Sequence, residues 1–234
     1  MEKYIEIFRK EEKIENTKWK EEWKNFIETS RFSLGGRAEA LEAPHSNSIT
    51  KICIANITPK TTPKEIYTIG GKYSLIEVFI ENNELLERCA GWKINSVLLD
   101  LASNSLGLRK GTISKVTNQQ MYFTIDMSLY YKPNTKRAWI SNVRDLLRLT
   151  NKKHITISAG AMDITEEEIV EVFKQFGIKR KTALSFLTEN PKQMLIRASV
   201  KRYVYNGIFV QMQEQEPKLK KMAYKSTKPL SYTK

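Results

Sequence analysis

Apolar runs alternating with helical periodicities organise this chain. Six stretches read as strands: Tyr4–Phe8, Lys51–Ile57, Leu75–Glu81, Ser96–Ala102, Met121–Met127 and His154–Ser158. KICIANI, LIEVFI and SVLLDLA are nearly continuous in apolar residues, as strands of a parallel sheet buried on both faces tend to be. Helical spacing lies around and between them. Trp19, Trp23, Phe26, Ile27 and Ser30 share one helical face, and Leu85, Leu86 and Cys89 share another. Trp139, Val143, Leu146, Leu147 and Thr150 mark a third, on a helix from Asn134 to Asn151. Strand alternating with helix predicts βαβ units. The expected fold is therefore α/β, a TIM-barrel-like (β/α) barrel of six or seven strands, closed or incomplete. Tyr203–Gln211 is either a seventh strand or a ribbon that turns at Asn206-Gly207.

The 234 residues suit one domain, drawn as 1–213, with a mobile loop near 33–48 where Gly-Gly, Pro and polar residues gather. Residues 214–234 are Lys-rich and without apolar period, and are expected to form a disordered basic tail. There is no internal repeat. No apolar run approaches a membrane span, and the charged start is not a signal peptide. A cytoplasmic protein with no membrane partner is expected. Cys53 and Cys89 lack CxxC spacing and read as reduced, buried thiols.

The segment His154–Pro191 has the most local definition. A strand, His154–Ser158, runs into the small-residue loop Ala159-Gly160-Ala161. A helix opened by a capping box of Thr165 and Glu168 follows, with Gly177 as its cap, then the elbow Lys179-Arg180-Lys181. A second helix is expected to end at Glu189-Asn190-Pro191. A loop at the carboxyl end of a strand is where α/β proteins keep working groups.

Yet the chemistry expected there is sparse. With only His45 and His154, a barrel metal site lacks imidazoles, and Asp100 and Asp126 near strand ends offer two carboxylates alone. Ser103, Ser105, Ser128 and Ser158 have no GxSxG setting, and no GxGxxG or GxxxxGK[ST] occurs. No catalytic residue and no bound metal or cofactor is assigned.

Charge changes the picture more. Lys and Arg number 39 against 26 acids, a net +13, which suits a polyanion such as nucleic acid. Arg137, Ser141, Arg144 and Arg148 follow helical spacing away from the Trp139 face, so the guanidiniums form a stripe that can fork onto phosphates. Lys179, Arg180 and Lys181, Lys192 and Arg197, Arg109 and Lys110, and Lys152 and Lys153 complete the candidate nucleic-acid-binding set. Lys201 and Arg202 add charge nearby. Tyr122 and Phe123 point to opposite faces of their strand, so at most one can stack a base. Trp19, Trp23 and Trp139 read as core.

RAWISNVRDLLRLTNKKHITISAGA and the later TENPKQML, with KINSVLLDLASNS and MYFTIDMSLYYK before them, are similar to the protein component 3 family of archaeal and eukaryotic ribonuclease P. The likeness runs from Ile49 to Arg197. The loop Ala102–Ser105 lacks the family's usual His, and Ala159 stands for a common second Ser. The resemblance implies a barrel related to the polymerase-and-histidinol-phosphatase metallohydrolases that has lost its metal ligands. It implies a subunit of the ribonucleoprotein that removes the 5′ leader of precursor tRNA. Catalysis would belong to the RNA and its Mg²⁺. The partners implied are ribonuclease P RNA, precursor tRNA indirectly, and a second protein of the component 2 type in a heterodimer or heterotetramer. A eukaryotic source would move the location to nucleus or nucleolus. Two other readings remain open: a barrel metallohydrolase acting on phosphoesters through Asp100 or Asp126, and a protein-interaction barrel without RNA.

Overall fold

A computed structural model describes residues 27–33, 50–56, 59–72, 75–104, 106–159, 162, 164–205 and 208–209. The expected strand Tyr4–Phe8, the loop 33–48 beyond Ser33, and the tail 214–234 lie outside the described residues. So do Trp19, Trp23 and Phe26.

Six strands form one parallel sheet: β1 Ile27–Ser33, β2 Thr50–Asn56, β3 Leu75–Ile80, β4 Ser96–Leu99, β5 Tyr122–Asp126 and β6 Ile155–Ser158. Their spatial order is their chain order. Helices α1 Pro63–Lys72, α2 Asn83–Cys89, α3 Lys110–Asn118 and α4 Pro133–Leu149 fill the crossovers from β2 to β6. Crossovers that all step the same way, each right-handed, put every helix on one face of the sheet. That progression matches a barrel-like fold, and differs from the doubly wound kind, whose order reverses at a switch point. The chain then continues through α5 Glu166–Lys174, α6 Arg180–Leu187 and α7 Glu189–Tyr203.

Two expectations are corrected. Ile27 and Ser30 lie in β1, not on a helix; pairing with β2 over seven residues outweighs a weak helical period. Glu189-Asn190-Pro191 opens α7 instead of closing the helix before it, because α6 stops at Leu187. Proline fits there, since a first-turn N–H has no helical partner to lose. Strands β3 and β4 are buried on both faces, as their runs predict, though one face of the sheet is largely polar. Val78, Val97, Leu99, Phe123, Ile125 and Ile157 join Leu86, Ile113, Val116, Trp139 and Leu146 of the helices in one core. The opposite face carries Glu77, Ser96, Thr124, Asp126, Thr156 and Ser158, all buried.

Hydrogen bonding makes that polar face tolerable. Ser96 Oγ lies 2.8 Å from Thr124 Oγ1, which lies 3.0 Å from Thr156 Oγ1. Ser96 Oγ also reaches the Tyr122 carbonyl at 3.2 Å, and Thr156 Oγ1 the Phe123 carbonyl at 3.4 Å. Glu77, fully buried in β3, escaped notice in the sequence because LIEVFI reads as apolar.

At the C-terminal side, β7 Val204–Tyr205 and β8 Ile208–Phe209 pair antiparallel in a separate two-stranded sheet. Of the two readings of Tyr203–Gln211, the ribbon is the one adopted. No helix among the described residues is long and apolar enough to cross a membrane.

Candidate nucleic-acid interface

Helix α4 starts at Pro133, whose fixed φ suits a first helical position, and buries Trp139, Val143, Leu146 and Leu147. Trp139 is anchored further by an indole N–H donated to the Asp126 carbonyl at 2.9 Å. With that face inward, Arg137, Ser141, Arg144 and Arg148 are all exposed, as their spacing predicts. Arg148 meets Asp145 one turn back at 3.2 Å, with side chains 74% and 49% exposed. A pair so solvated is worth little and leaves the guanidinium available. Among the described residues, Arg137 and Arg144 make no ion pair.

The elbow after α5 is held as its sequence suggests. Thr165 Oγ1 accepts from the Glu168 N–H at 3.3 Å, while the Glu168 carboxylate accepts from the Thr165 N–H at 2.7 Å. The Thr165 N–H, and then the Thr165 hydroxyl donated at 2.8 Å, hold the Glu168 carboxyl below its usual range. Gly177 takes φ +69°, open to glycine at no steric cost. Within the elbow, however, Arg180 is engaged. It donates to both Glu167 oxygens, at 2.5 and 2.6 Å, and approaches Glu166 at 3.4 Å. This bridge ties the start of α6 back to the start of α5 and lowers the Glu167 carboxyl through the guanidinium's hydrogen bond. Lys179 and Lys181 are exposed beside it.

Lys192 sits 3.8 Å from Glu189, one turn earlier in α7. Arg197 is half-buried: it donates to the Tyr122 hydroxyl at 2.9 Å, and its guanidinium lies 5.6 Å from that ring's centroid. Tyr122 and Phe123 are both buried, so neither strand-β5 aromatic is placed to stack a base.

Arg109 and Lys110 open α3, at the C-terminal end of the sheet; the Arg109 N–H is donated to Asn83 Oδ1 at 3.2 Å. Lys152 and Lys153 are exposed at the other end, in the turn from α4 to β6. There Asn151 (φ 51°) and Lys152 (φ 67°) both adopt left-handed backbone, uncommon for residues with a side chain. The twelve candidate cations are thus divided between two ends of the sheet and one outer helix face.

The loops at the C-terminal ends of the strands are closed by their own polar groups. Asp100 Oδ1 accepts from the Ala102 N–H at 3.2 Å and Asp126 Oδ1 from the Ser128 N–H at 2.9 Å, two residues on in each case. Asn142 donates to the carbonyls of Leu101 and Ser103 at 3.0 and 2.8 Å. Ser158 and Ala159 are buried. Ser105, Gly160, Ala161 and Asp163 lie outside the described residues. Among the described residues, no three His, Cys, Asp or Glu side chains gather as metal ligands would.

Sequence reasoning left out Lys115 and did not see what surrounds His154. That imidazole is half-buried, 5.1 Å from the Tyr122 ring, with Nδ1 buried and without a hydrogen-bond partner. Burial first, then the charges of Arg197 and Lys153, lower its pKa, against a backbone hydrogen bond at Met121. Lys201 reaches the Gln119 carbonyl at 3.4 Å, and its pKa is lowered by burial and then by Arg197.

No curated protein matches the chain. Among solved structures, the crystal structure of an uncharacterized protein is similar at 9% identity and a TM-score of 0.45. The alignment covers 63% of this chain and 43% of that one, so the chain spans less than half the length of this structural relative. A family model described as RNase P subunit p30 matches residues 86–203, from within α2 to the end of α7. That span holds the Arg-bearing helix α4, the strand β6 with the loop after it, and the Glu-Asn-Pro at the start of α7: the chain belongs to the RNase P subunit p30 family.

Proposed function

We propose that this chain is a protein subunit of ribonuclease P that binds and stabilises the catalytic RNA, leaving removal of the 5′ leader of precursor tRNA to that RNA and its Mg²⁺. The observation that carries the reading is the family match over residues 86–203. The exposed Arg137, Arg144 and Arg148 on one face of α4 support it, as does the +13 net charge. Asp100 and Asp126, engaged as loop caps, favour a chain that does not itself cleave.

In this reading the sheet is an incomplete (β/α) barrel descended from the polymerase-and-histidinol-phosphatase metallohydrolases. The partners are ribonuclease P RNA, a second protein subunit of the component 2 type, and precursor tRNA through the assembled particle. The location is the cytoplasm, or the nucleus in a eukaryotic source.

Reconstitution tests this. The chain alone is expected to leave precursor tRNA intact, and to raise cleavage when added with its partner subunit to ribonuclease P RNA and Mg²⁺. Metal-dependent phosphoester cleavage by the chain without RNA, lost in Asp126→Asn, would favour the hydrolase reading instead. Failure to change cleavage by the RNA and partner would remove the subunit assignment.

A further inference from the structure

Three segments converge at the N-terminal end of the parallel sheet. The first runs from Lys115 at the end of α3 to Tyr122, the second from Arg148 to His154, and the third from Asn190 to Lys201 along α7. Several contacts tie them together. Phe123 N–H donates to the His154 carbonyl at 2.8 Å, and Asn190 Nδ2 to the Ile155 carbonyl at 2.7 Å. Arg197 holds the Tyr122 hydroxyl, and Lys201 the Gln119 carbonyl. Helix α7 therefore crosses the starts of β6 and β5.

These segments contain Lys115, Arg148, Lys152, Lys153, Lys192, Arg197 and Lys201, and not one Asp or Glu. Among the described residues, the flanking Asp145 and Glu189 pair with Arg148 and Lys192 at exposed sites, and Glu77, level with Tyr122 through Ser96, is fully buried. The other end of the same sheet is mixed: Glu81 follows β3, Asp100 follows β4, Asp126 ends β5 and Glu166, Glu167 and Glu168 open α5, while Arg109 and Lys110 open α3 and Lys132 and Lys136 lie at the start of α4.

We propose that folded RNA docks by its phosphate backbone across the N-terminal end of the sheet, on Lys115, Arg148, Lys152, Lys153, Arg197 and Lys201. The C-terminal end, where α/β enzymes hold their substrates and where acids stand among the cations, is left facing away. The inference rests on the RNA-binding reading above and adds the surface that carries it. Phosphates approaching this end meet cations from three chain segments that contain no acid, which favours backbone contact over base reading. Arg197 is already fixed against Tyr122, and the left-handed turn at Asn151 and Lys152 fixes the path of the chain to Lys153. Cations held in place before binding lose less freedom on contact. Crowding of like charge is visible in Lys201 and His154, whose protonation Arg197 disfavours after burial has done so. A polyanion relieves that repulsion.

The test uses the full chain and a labelled RNA stem–loop, titrated across salt concentrations. Lys115, Lys152 and Lys153 are exposed and make no side-chain hydrogen bond among the described residues. Replacing all three by Ala is expected to weaken binding about tenfold or more and to lower the salt slope by about 2–3. Replacing Lys64, Lys132 and Lys136 by Ala removes the same charge from the starts of α1 and α4, and is expected to change affinity by less than about twofold. Arg at positions 115, 152 and 153 should keep binding, which separates charge from folding. Equal losses in the two Ala triples, or a loss only in the second, overturns the docking surface while leaving RNA binding in place. No binding by the wild-type chain at low salt removes both this surface and the RNA-binding reading.

Discussion

Asn190 Nδ2 donates to the carbonyl of Ile155 at 2.7 Å, so the Glu-Asn-Pro at the start of α7 clasps the first residue of β6. β6 ends the parallel order, and an edge strand leaves its outer carbonyls without a neighbouring strand. One of them is satisfied by this amide, while Pro191, buried beside it, sets the first turn of the helix. Replacing Asn190 by Ala should lower unfolding stability by about 1–2 kcal/mol in urea melts, with the midpoint moving and the slope unchanged. Asn190→Asp should do no better, because a carboxylate cannot donate to that carbonyl. Wild-type stability in both would separate the motif from the strand.

His154 predicts a pH dependence. Its folded pKa lies below the ordinary imidazole value of 6.5, so below that value the unfolded chain binds the proton more readily. The sign follows: this contribution is present above about pH 6.5 and is lost as pH falls towards and through the lowered folded value. Urea melts from about pH 7.5 down to about pH 5 should show stability declining, and His154→Gln should flatten that decline. An unchanged slope in the variant would assign the decline to other groups.

Cys89 is a buried thiol on α2, with its pKa pushed up to about 12 by burial, against a smaller lowering by Arg88. At about pH 8 almost none of it is thiolate, the nucleophilic form. Alkylation read by peptide mass spectrometry should be slow at Cys89 in the native chain and fast in urea. Prompt modification under native conditions would show that α2 opens without global unfolding.

The strands from β2 to β6 were legible because each carries a compact apolar run, and α4 because Trp139, Val143, Leu146 and Leu147 repeat at helical spacing with Arg137 and Arg144 opposite. The capping box at Thr165 was equally plain, since it is a purely local pattern. What failed was non-local. Helical spacing around Ile27 could not reveal a pairing with β2 some twenty residues on. Glu77 was lost inside LIEVFI because a buried carboxylate looks apolar by its neighbours. Arg180 reads in sequence as one of three adjacent elbow cations, although Glu167 thirteen residues earlier engages it. Nor could the meeting of three basic, acid-free segments at one end of the sheet be read in advance. The three segments lie far apart in the chain, and only the sheet and α7 bring Lys115, Lys153 and Arg197 to the same end.

The hydroxyl run Ser96–Thr124–Thr156 ends on a backbone carbonyl at each side, Tyr122 and Phe123. Every proton in it can therefore point one way or the other with no heavy atom moving. Three protons then serve four contacts, so four hydrogen arrangements share a single fold. The buried centre of the sheet keeps a little configurational entropy that a one-way network would forfeit.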